Sequence, residues 1–246
     1  MFINQNKDGF AVFNYNDLYC RKISEEVKAN ILFFGHNKIT KKGVYEKDNI
    51  VFSNLNGVAE LFNTEKTKLW GKGNIDNIMA SALIGLLCNV STESIIETVY
   101  TFAQLPHRLE KVTEINGILF INDSKSTNPH SVINALGSIK DGTKSILIMG
   151  GQNKNVSFSS VIPYLSKNVG AIILMGEAKE ELAEEFKKTG LPLIFAETVK
   201  DAVQQAYKNA ESGDIVMFSP GCASFDMFNN YKERGNAFKN EVLALS

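Results

Sequence analysis

Residues 118–150 read ILFINDSKSTNPHSVINALGSIKDGTKSILIMG, and this stretch decides the fold. It begins with ILFIN and ends with SILIMG, two continuous apolar runs of the kind found in strands that are covered on both faces. Between the runs, Pro129 suits the first position of a helix, with Thr127 or Asn128 as its cap. A strand, a helix and a second strand in this order predict a parallel βαβ unit.

The same alternation continues towards the end of the chain. Further apolar runs of strand length lie at 171–176, 192–196 and 214–219. Segments with a helical pattern separate the runs, near 129–140, 158–167, 178–189 and 199–211. The pattern predicts that residues 105–246 form a doubly wound α/β domain of the Rossmann type.

The part of the chain before Leu105 has a different pattern, in which strands dominate. Short aromatic and β-branched runs at 10–14 and 29–35 predict strands, and helices are expected at 74–88 and 91–104, the second capped by Ser91. Two Asn-Gly pairs, 56–57 and 116–117, each predict a hairpin. We therefore expect a domain boundary near Leu105.

Composition excludes several classes of protein. The 246 residues include 26 Lys and Arg and 27 Asp and Glu, so a net charge of −1 gives no overall field that would attract nucleic acid or anionic lipid. No apolar run approaches the length of a membrane span, and the first residues do not resemble a signal peptide. Cys20, Cys88 and Cys222 are widely spaced without a CxxC pair, which favours neither a disulfide framework nor a zinc site and predicts a cytoplasmic location.

Polar residues follow the first strand of the α/β region and could bind an anion. Lys125 lies just before a predicted helix N-terminus, where free N–H groups and the helix dipole favour negative charge. Asp123 could accept hydrogen bonds from a ribose. The alternative is a solvated loop with a capping Thr127, and the spacing alone does not decide between the two.

Two more strand ends carry possible ligand-binding residues. Paired glycines at 150–151 allow the backbone to approach a ligand, and Lys154 could hold a carboxylate or phosphate; the alternative is a glycine turn with a surface lysine. Ser224 could donate its hydroxyl to a ligand or cap a following helix. Cys222 has no nearby histidine base, which favours a buried, unreactive thiol.

Two features outside these strand ends suggest a nucleotide. Asn74 and Asn77 are three residues apart on one helical face, and their amides suit a purine edge, although capping by Asn74 and exposure of Asn77 explain them equally well. Arg108, after His107, could reach a phosphate or could be an ordinary surface residue. The chain contains no GxxxxGK[ST] phosphate loop.

These strings, in this order, resemble the Mur ligase family of peptidoglycan synthesis. Within the family, the NDSKSTN and CASFD strings resemble the members that add D-glutamate. The resemblance covers the whole chain and is carried by GKGNIDN (71–77), LPHRLE (105–110), FINDSKSTN (120–128), GGQNK (150–154) and SPGCASFDMFNNYKERG (219–235).

The resemblance implies an organisation of the chain into two parts. Residues 1–104 look like the second half of the family's central ATP-binding domain, without its phosphate-loop half, and residues 105–246 look like the complete C-terminal domain. In the family, a further N-terminal part holds the UDP-binding domain, the phosphate loop and most of the Mg²⁺ ligands. We therefore expect no metal site in this chain.

The resemblance also implies roles for individual residues. It assigns catalytic roles to Lys125, Arg108 and His107. It implies that Asn74 and Asn77 contact adenine. Arg108 and Asp123 would reach the phosphates and the ribose. The residues implied to bind D-glutamate are Thr127, Lys154, Ser224 and Tyr231.

Three positions depart from the family's pattern. Gly73 replaces a frequent histidine, Gly221 a frequent alanine and Tyr231 a frequent phenylalanine. None of these changes removes an essential side chain, although Gly73 weakens the case for a rigid adenine site.

The implied reaction is an ADP-forming ligation. The carboxylate of UDP-N-acetylmuramoyl-L-alanine would attack ATP, with Mg²⁺, to give an acyl phosphate, and the amine of D-glutamate would displace phosphate. Because the phosphate loop is absent, we expect the isolated chain to be inactive and its incomplete central domain to self-associate. The alternative is a non-catalytic module that binds D-glutamate or a nucleotide.

Overall fold

The computed structural model describes residue 2 and residues 4–245, and its chain divides into two units. The first unit comprises Met1–Ala103 and the second Gln104–Ser246. The division falls one residue before the boundary that the sequence suggests. Each unit contains its own sheet and its own apolar core.

The first unit contains a five-stranded mixed sheet. Its strands are β1 (Phe10–Asn14), β2 (Asn30–His36), β3 (Gly43–Lys47), β4 (Ile50–Ser53) and β5 (Ala59–Asn63), which lie in the sheet in this order. β1, β2 and β3 are parallel, whereas β4 and β5 continue the sheet as antiparallel hairpins. The helices of this unit are α1 (Leu18–Ser24), α2 (Lys72–Leu87) and α3 (Thr92–Thr101).

The turns of this sheet partly match the sequence expectation. The hairpin predicted at Asn56-Gly57 is confirmed, because β4 and β5 are antiparallel on either side of it. The sequence does not predict a second turn, at Asp48-Asn49, which separates β3 from β4. Both of its residues have positive φ angles, 53° and 64°, a conformation that asparagine and aspartate tolerate better than most residues.

The helices of the first unit begin near their predicted starts. α2 begins at Lys72 rather than Asn74, after Gly71, so Asn74 is not its cap. Ser91 does cap α3, since its side chain accepts the N–H of Ser94 at 3.2 Å. α1 was not predicted; Asp17 caps it by accepting the N–H of Cys20 at 2.7 Å.

The second unit is the predicted doubly wound α/β domain. Its strands are β6 (Glu110–Ile115), β7 (Ile118–Asn122), β8 (Ser145–Gly150), β9 (Val169–Met175), β10 (Leu193–Ala196) and β11 (Ile215–Gly221). They lie in the order β10-β9-β8-β11-β7-β6. All pairs are parallel except β6 with β7, which are joined by the predicted hairpin at Asn116-Gly117.

Helices cover this sheet. They are α4 (Pro129–Leu136), α5 (Ile162–Asn168), α6 (Lys179–Phe186), α7 (Val199–Asn209) and α8 (Tyr231–Leu243). All six residues of β8 are buried, as expected for a central strand covered on both faces. α8 contributes Phe238, whose ring stacks on Phe218 at 4.6 Å between centroids. None of the helices in the described part of the chain has the length and apolar character needed to cross a membrane.

Candidate functional site

Three loops meet at the carboxyl edge of the second sheet. They follow β7, β8 and β11, which are neighbouring parallel strands. The backbone N–H of Gly221 donates to the carbonyl of Ser126 at 3.0 Å. Gln152 and Ala223 exchange two backbone hydrogen bonds, of 2.9 and 3.0 Å. The three polar clusters recognised in the sequence are therefore joined to one another, at the edge where α/β sheets bind ligands.

Glycines make this close approach possible. Gly150 and Gly151 have φ angles of 122° and 125°, which side chains rarely allow. A Cβ on Gly151 would lie 2.3 Å from the carbonyl oxygen of Ala223. The glycine pair thus brings the β8 loop against the β11 loop, and the approach to a ligand that the sequence suggested stays a prediction.

Lys125 and Tyr231 are brought together by this arrangement. The Lys125 Nζ lies 3.4 Å from the Tyr231 hydroxyl, to which it donates, and 5.0 Å from the centre of the ring. The Lys125 backbone N–H donates to the carbonyl of His107 at 3.0 Å. A cation over an aromatic face is attracted by the ring quadrupole, so Tyr231 holds the ammonium group beside the β7 loop.

The other residues predicted to bind D-glutamate lie in the same three loops. Thr127 is half-buried and does not cap α4; Asn128 does, accepting the N–H of Ser131 at 2.9 Å. Lys154 is exposed after the glycine pair. Ser224 is only 3% exposed, and it does not cap α8, which is capped by Asn230. Thr127 and Ser224 thus have no capping role in this fold.

Asp123 is deeply buried at the end of β7. Its Oδ1 accepts the backbone N–H of Leu109 at 3.1 Å, and its Oδ2 accepts the Ser219 hydroxyl at 3.0 Å. Burial raises the pKa of this carboxyl to about 7, although these hydrogen bonds and the charge of Arg108 oppose the rise. Arg108 itself is exposed. A direct contact of Asp123 with ribose stays a prediction.

His107 is buried within the second unit. Its Nδ1 lies 3.0 Å from the Asn122 side-chain amide, and its ring meets that of Tyr231 edge to face at 6.0 Å. Burial lowers the pKa of the imidazole, which favours the neutral ring that accepts from Asn122. His107 has a positive φ of 64°. Through these contacts the ring packs on Tyr231 and bonds to Asn122. The predicted catalytic role of His107 stays a prediction.

Asn74 and Asn77 lie in the first unit, near the start of α2. The Asn74 side-chain amide donates to the carbonyl of Trp70 at 2.8 Å, and Asn77 is exposed. Both residues lie in α2, as the sequence pattern predicts. Their contact with adenine stays a prediction.

Sequence reasoning did not single out Arg234. This residue of α8 is fully buried, and its guanidinium donates to the β7 and β11 loops. Arg234 lies inside the SPGCASFDMFNNYKERG string that carries the family resemblance. Its place in this string is the one sequence signal that could have drawn attention to it.

The described residues hold no group of three or more His, Cys, Asp or Glu side chains that could bind a metal ion. Cys222 is buried, as expected, and burial raises the pKa of its thiol to about 12. A thiol with this pKa stays protonated at neutral pH, so it is a poor nucleophile.

Residues 107–222 match the family model described as Mur ligase, glutamate ligase domain. These residues are therefore similar to a Mur ligase glutamate ligase domain, and the chain as a whole resembles Mur ligases.

The chain is more specifically similar to D-glutamate-adding ligases. It is 35% identical to the UDP-N-acetylmuramoylalanine–D-glutamate ligase of Thermoanaerobacter sp. (strain X514), over 100% of this chain and 54% of that protein. It is 32% identical to the ligase of the same name from Clostridioides difficile (strain 630), over 98% of this chain and 53% of that protein. The chain thus spans about half the length of these curated relatives and corresponds to their C-terminal half.

Solved structures show the same fold at lower identity. The MurF ligase of Thermotoga maritima in complex with ADP matches 98% of this chain and 55% of its own, with a TM-score of 0.64 and 17% identity. A pseudomurein peptide ligase type C from Methanothermus fervidus matches 96% of this chain and 56% of its own, with a TM-score of 0.69 and 14% identity.

Proposed function

We propose that this chain is the amino-acid-adding part of an ATP-dependent ligase that joins D-glutamate to UDP-N-acetylmuramoyl-L-alanine. The observation that carries the proposal is the backbone junction of the β7, β8 and β11 loops, the loops that contain Lys125, Lys154 and Ser224, at one edge of the sheet. The names of the relatives supply the substrate class.

The chemistry of the proposed reaction explains the residue types. D-Glutamate carries two carboxylates, which Lys154, Thr127 and Ser224 would hold through charge and hydroxyl donors. The carboxylate of UDP-N-acetylmuramoyl-L-alanine would attack the γ-phosphate of ATP, which releases ADP and forms an acyl phosphate. The D-glutamate amine would then attack the acyl carbon, which releases phosphate and a proton and forms the amide. Lys125, held by Tyr231, would stabilise the negative charge on the transferring oxygens.

Nucleotide contacts are proposed for each unit taken by itself. Asn74 and Asn77 offer amides for adenine, whereas Arg108 offers an exposed cation for phosphate oxygens. The proposed reaction uses Mg²⁺ together with ATP, and the described residues hold no group of three or more His, Cys, Asp or Glu side chains that could bind a metal ion. The cytoplasmic location of the protein also stays a prediction.

The amino-acid site can be tested by NMR on the 246-residue chain. We expect ¹⁵N amide shifts in the three loops on titration with D-glutamate and much weaker shifts with L-glutamate. Lys154→Ala and Ser224→Ala should each weaken D-glutamate binding. Lys140→Ala is the matched control, since Lys140 is an exposed lysine outside the three loops. Equal shifts with both enantiomers, or no effect of the two site variants, would contradict the proposed site.

The ligase reaction itself has a separate test. Without a phosphate-loop motif, the isolated chain should release no phosphate from ATP in the presence of Mg²⁺, D-glutamate and UDP-N-acetylmuramoyl-L-alanine. Robust turnover by the 246 residues would overturn this expectation. Enantioselective binding without turnover is also what the alternative, a non-catalytic module, predicts.

A further inference from the structure

Arg234 connects the β7 and β11 loops of the site through hydrogen bonds of its guanidinium. Resting on the proposed function, we propose that Arg234 is a positioning residue that fixes the β7 and β11 loops and supplies positive charge that favours an anionic substrate. Arg234 lies in the first turns of α8 and is 0% exposed.

The guanidinium forms one fork of hydrogen bonds to each loop. On the β7 side, Nε donates to the Ser124 hydroxyl at 3.1 Å and Nη2 to the Ser124 carbonyl at 2.9 Å. On the β11 side, Nη1 donates to the carbonyls of Cys222 and Ala223, both at 3.0 Å. A planar group with rigidly placed donors holds its acceptors in one geometry, which a lysine cannot do.

These acceptors lead directly to the proposed substrate-binding side chains. Ser124 donates its hydroxyl to the carbonyl of Tyr231 at 2.8 Å, and Tyr231 holds Lys125. Ala223 precedes Ser224 and is hydrogen-bonded through its backbone to Gln152, two residues before Lys154. A shift of Arg234 would therefore move each of the three loops.

The guanidinium of Arg234 has no carboxylate among its hydrogen-bond acceptors, although Asp226 lies near enough to act on its charge. All four of its hydrogen-bond acceptors are neutral, and it forms no ion pair with the residues that the structure describes. Burial lowers the pKa of its guanidinium to about 10, against the opposing influences of Cys222 and Asp226, so it remains charged at neutral pH. Burying an unpaired cation costs free energy, and an anion bound nearby would offset part of that cost.

The test combines two conservative variants in the full chain. Arg234→Met removes the charge and the fork, and Arg234→Lys keeps the charge alone. We expect Arg234→Met to weaken D-glutamate binding about tenfold to a hundredfold, with a smaller loss for Arg234→Lys. Amide exchange should rise in residues 123–126 and 221–226 of both variants while β9 stays protected. Arg21→Met, at a position exposed to solvent in the first unit, should change neither measurement.

Chemical rescue separates charge from shape. In Arg234→Ala, methylguanidinium should restore D-glutamate binding, whereas methylurea, which has a similar shape and N–H donors but no charge, should not. Equal rescue by both compounds would overturn the electrostatic part of the proposal.

The outcomes also separate this proposal from the proposed function. A wild-type chain that fails to bind D-glutamate would contradict the proposed function, and amide exchange would still decide the positioning role. Unchanged exchange in both loops of Arg234→Lys would overturn that role, even if Arg234→Met failed to fold. A folded Arg234→Met chain with wild-type affinity would overturn it as well.

Discussion

Asp123 shows how burial and hydrogen bonding compete at a single carboxyl group. Its two oxygens have donors in Leu109 and Ser219, and Arg108 contributes favourable charge, yet burial still raises its pKa from 3.8 to about 7. Near neutral pH this carboxyl therefore exchanges between charged and neutral forms. Asp123 lies within the electrostatic reach of Arg108, a proposed nucleotide-binding residue. The titration of Asp123 therefore makes both the stability of the chain and the proposed nucleotide binding sensitive to pH.

We expect Asp123→Asn to stabilise the chain at pH 8 but not at pH 4. Because the carboxyl has a higher pKa in the folded chain than in an unfolded one, folding favours its protonated form. Its contribution to the free energy of unfolding therefore falls as the pH rises from about 4 to about 7, by roughly 4 kcal/mol at most. Urea unfolding of both chains across this pH range would measure the difference.

The matched control for this prediction is Asp141→Asn. Asp141 is exposed and pairs with the exposed Lys167, so loss of its charge should change stability little at either pH. A parallel pH dependence in wild type and Asp123→Asn would contradict the prediction.

The positions of the site residues could be predicted from the sequence to different extents. Lys125, Thr127 and Lys154 follow apolar runs, and the carboxyl ends of such strands are where ligands bind, so their position was predictable. Arg234 was not, because its burial depends on Ser124, which lies 110 residues away in the chain. An arginine among polar residues of a helix usually lies on the surface, and nothing local in the sequence marks this one as buried.

At the level of elements, α8 packs against the turn that opens the second unit. Gly235 lies where α8 passes the ring of His107, and a Cβ there would lie 2.2 Å from His107 Nδ1. The Asn122 amide also donates to the carbonyl of Gly235 at 3.3 Å. The absence of a side chain at this position allows the helix, the turn and the end of β7 to meet.

We expect Gly235→Ala to destabilise the second unit by about 1–3 kcal/mol, the usual cost of overpacking a buried site. Since His107 also packs on Tyr231, which holds Lys125, the variant should shift the amide signals of residues 123–126 as well. Thermal unfolding and ¹⁵N spectra of the variant provide the two measurements.

For Gly73→Ala we expect the opposite effect on stability, because Gly73 is a helical glycine with open space around it. No atom lies within 4 Å of a Cβ built on Gly73, and its φ is not positive. Alanine should therefore stabilise α2 by about 0.5–1 kcal/mol through helix propensity alone. Destabilisation by both alanines, or by neither, would contradict the packing argument for Gly235.

Predictability from sequence differed between elements for physical reasons. Asn116-Gly117 sets its hairpin locally, because both residues favour the positive φ angles of a two-residue turn. The sequence predicts a helix after Ser224 but does not give the bounds of α8, because Gly235 and many polar residues weaken its intrinsic helix preference. Its stability comes instead from tertiary packing, through Phe238 and Val242 in the core of the second unit.

At the scale of the whole molecule, the first unit exposes three large apolar side chains on one short helix, α1. Leu18, Tyr19 and Ile23 of α1 are 62%, 76% and 49% exposed. Phe10, at the start of the edge strand β1, is also 49% exposed. Apolar side chains beside an unpaired strand edge favour association with another chain.

We therefore expect the 246-residue chain to self-associate through this surface in a concentration-dependent way. The double variant Leu18→Lys, Tyr19→Lys should shift the chain to a monomer in light scattering, because charged side chains on α1 and next to an edge strand oppose pairing. Tyr164→Lys is the control, since Tyr164 is an exposed aromatic residue of the second unit and its replacement should leave association unchanged. A wild-type chain that remains monomeric at high concentration, or equal effects of the two sets of variants, would show that α1 and β1 do not drive association.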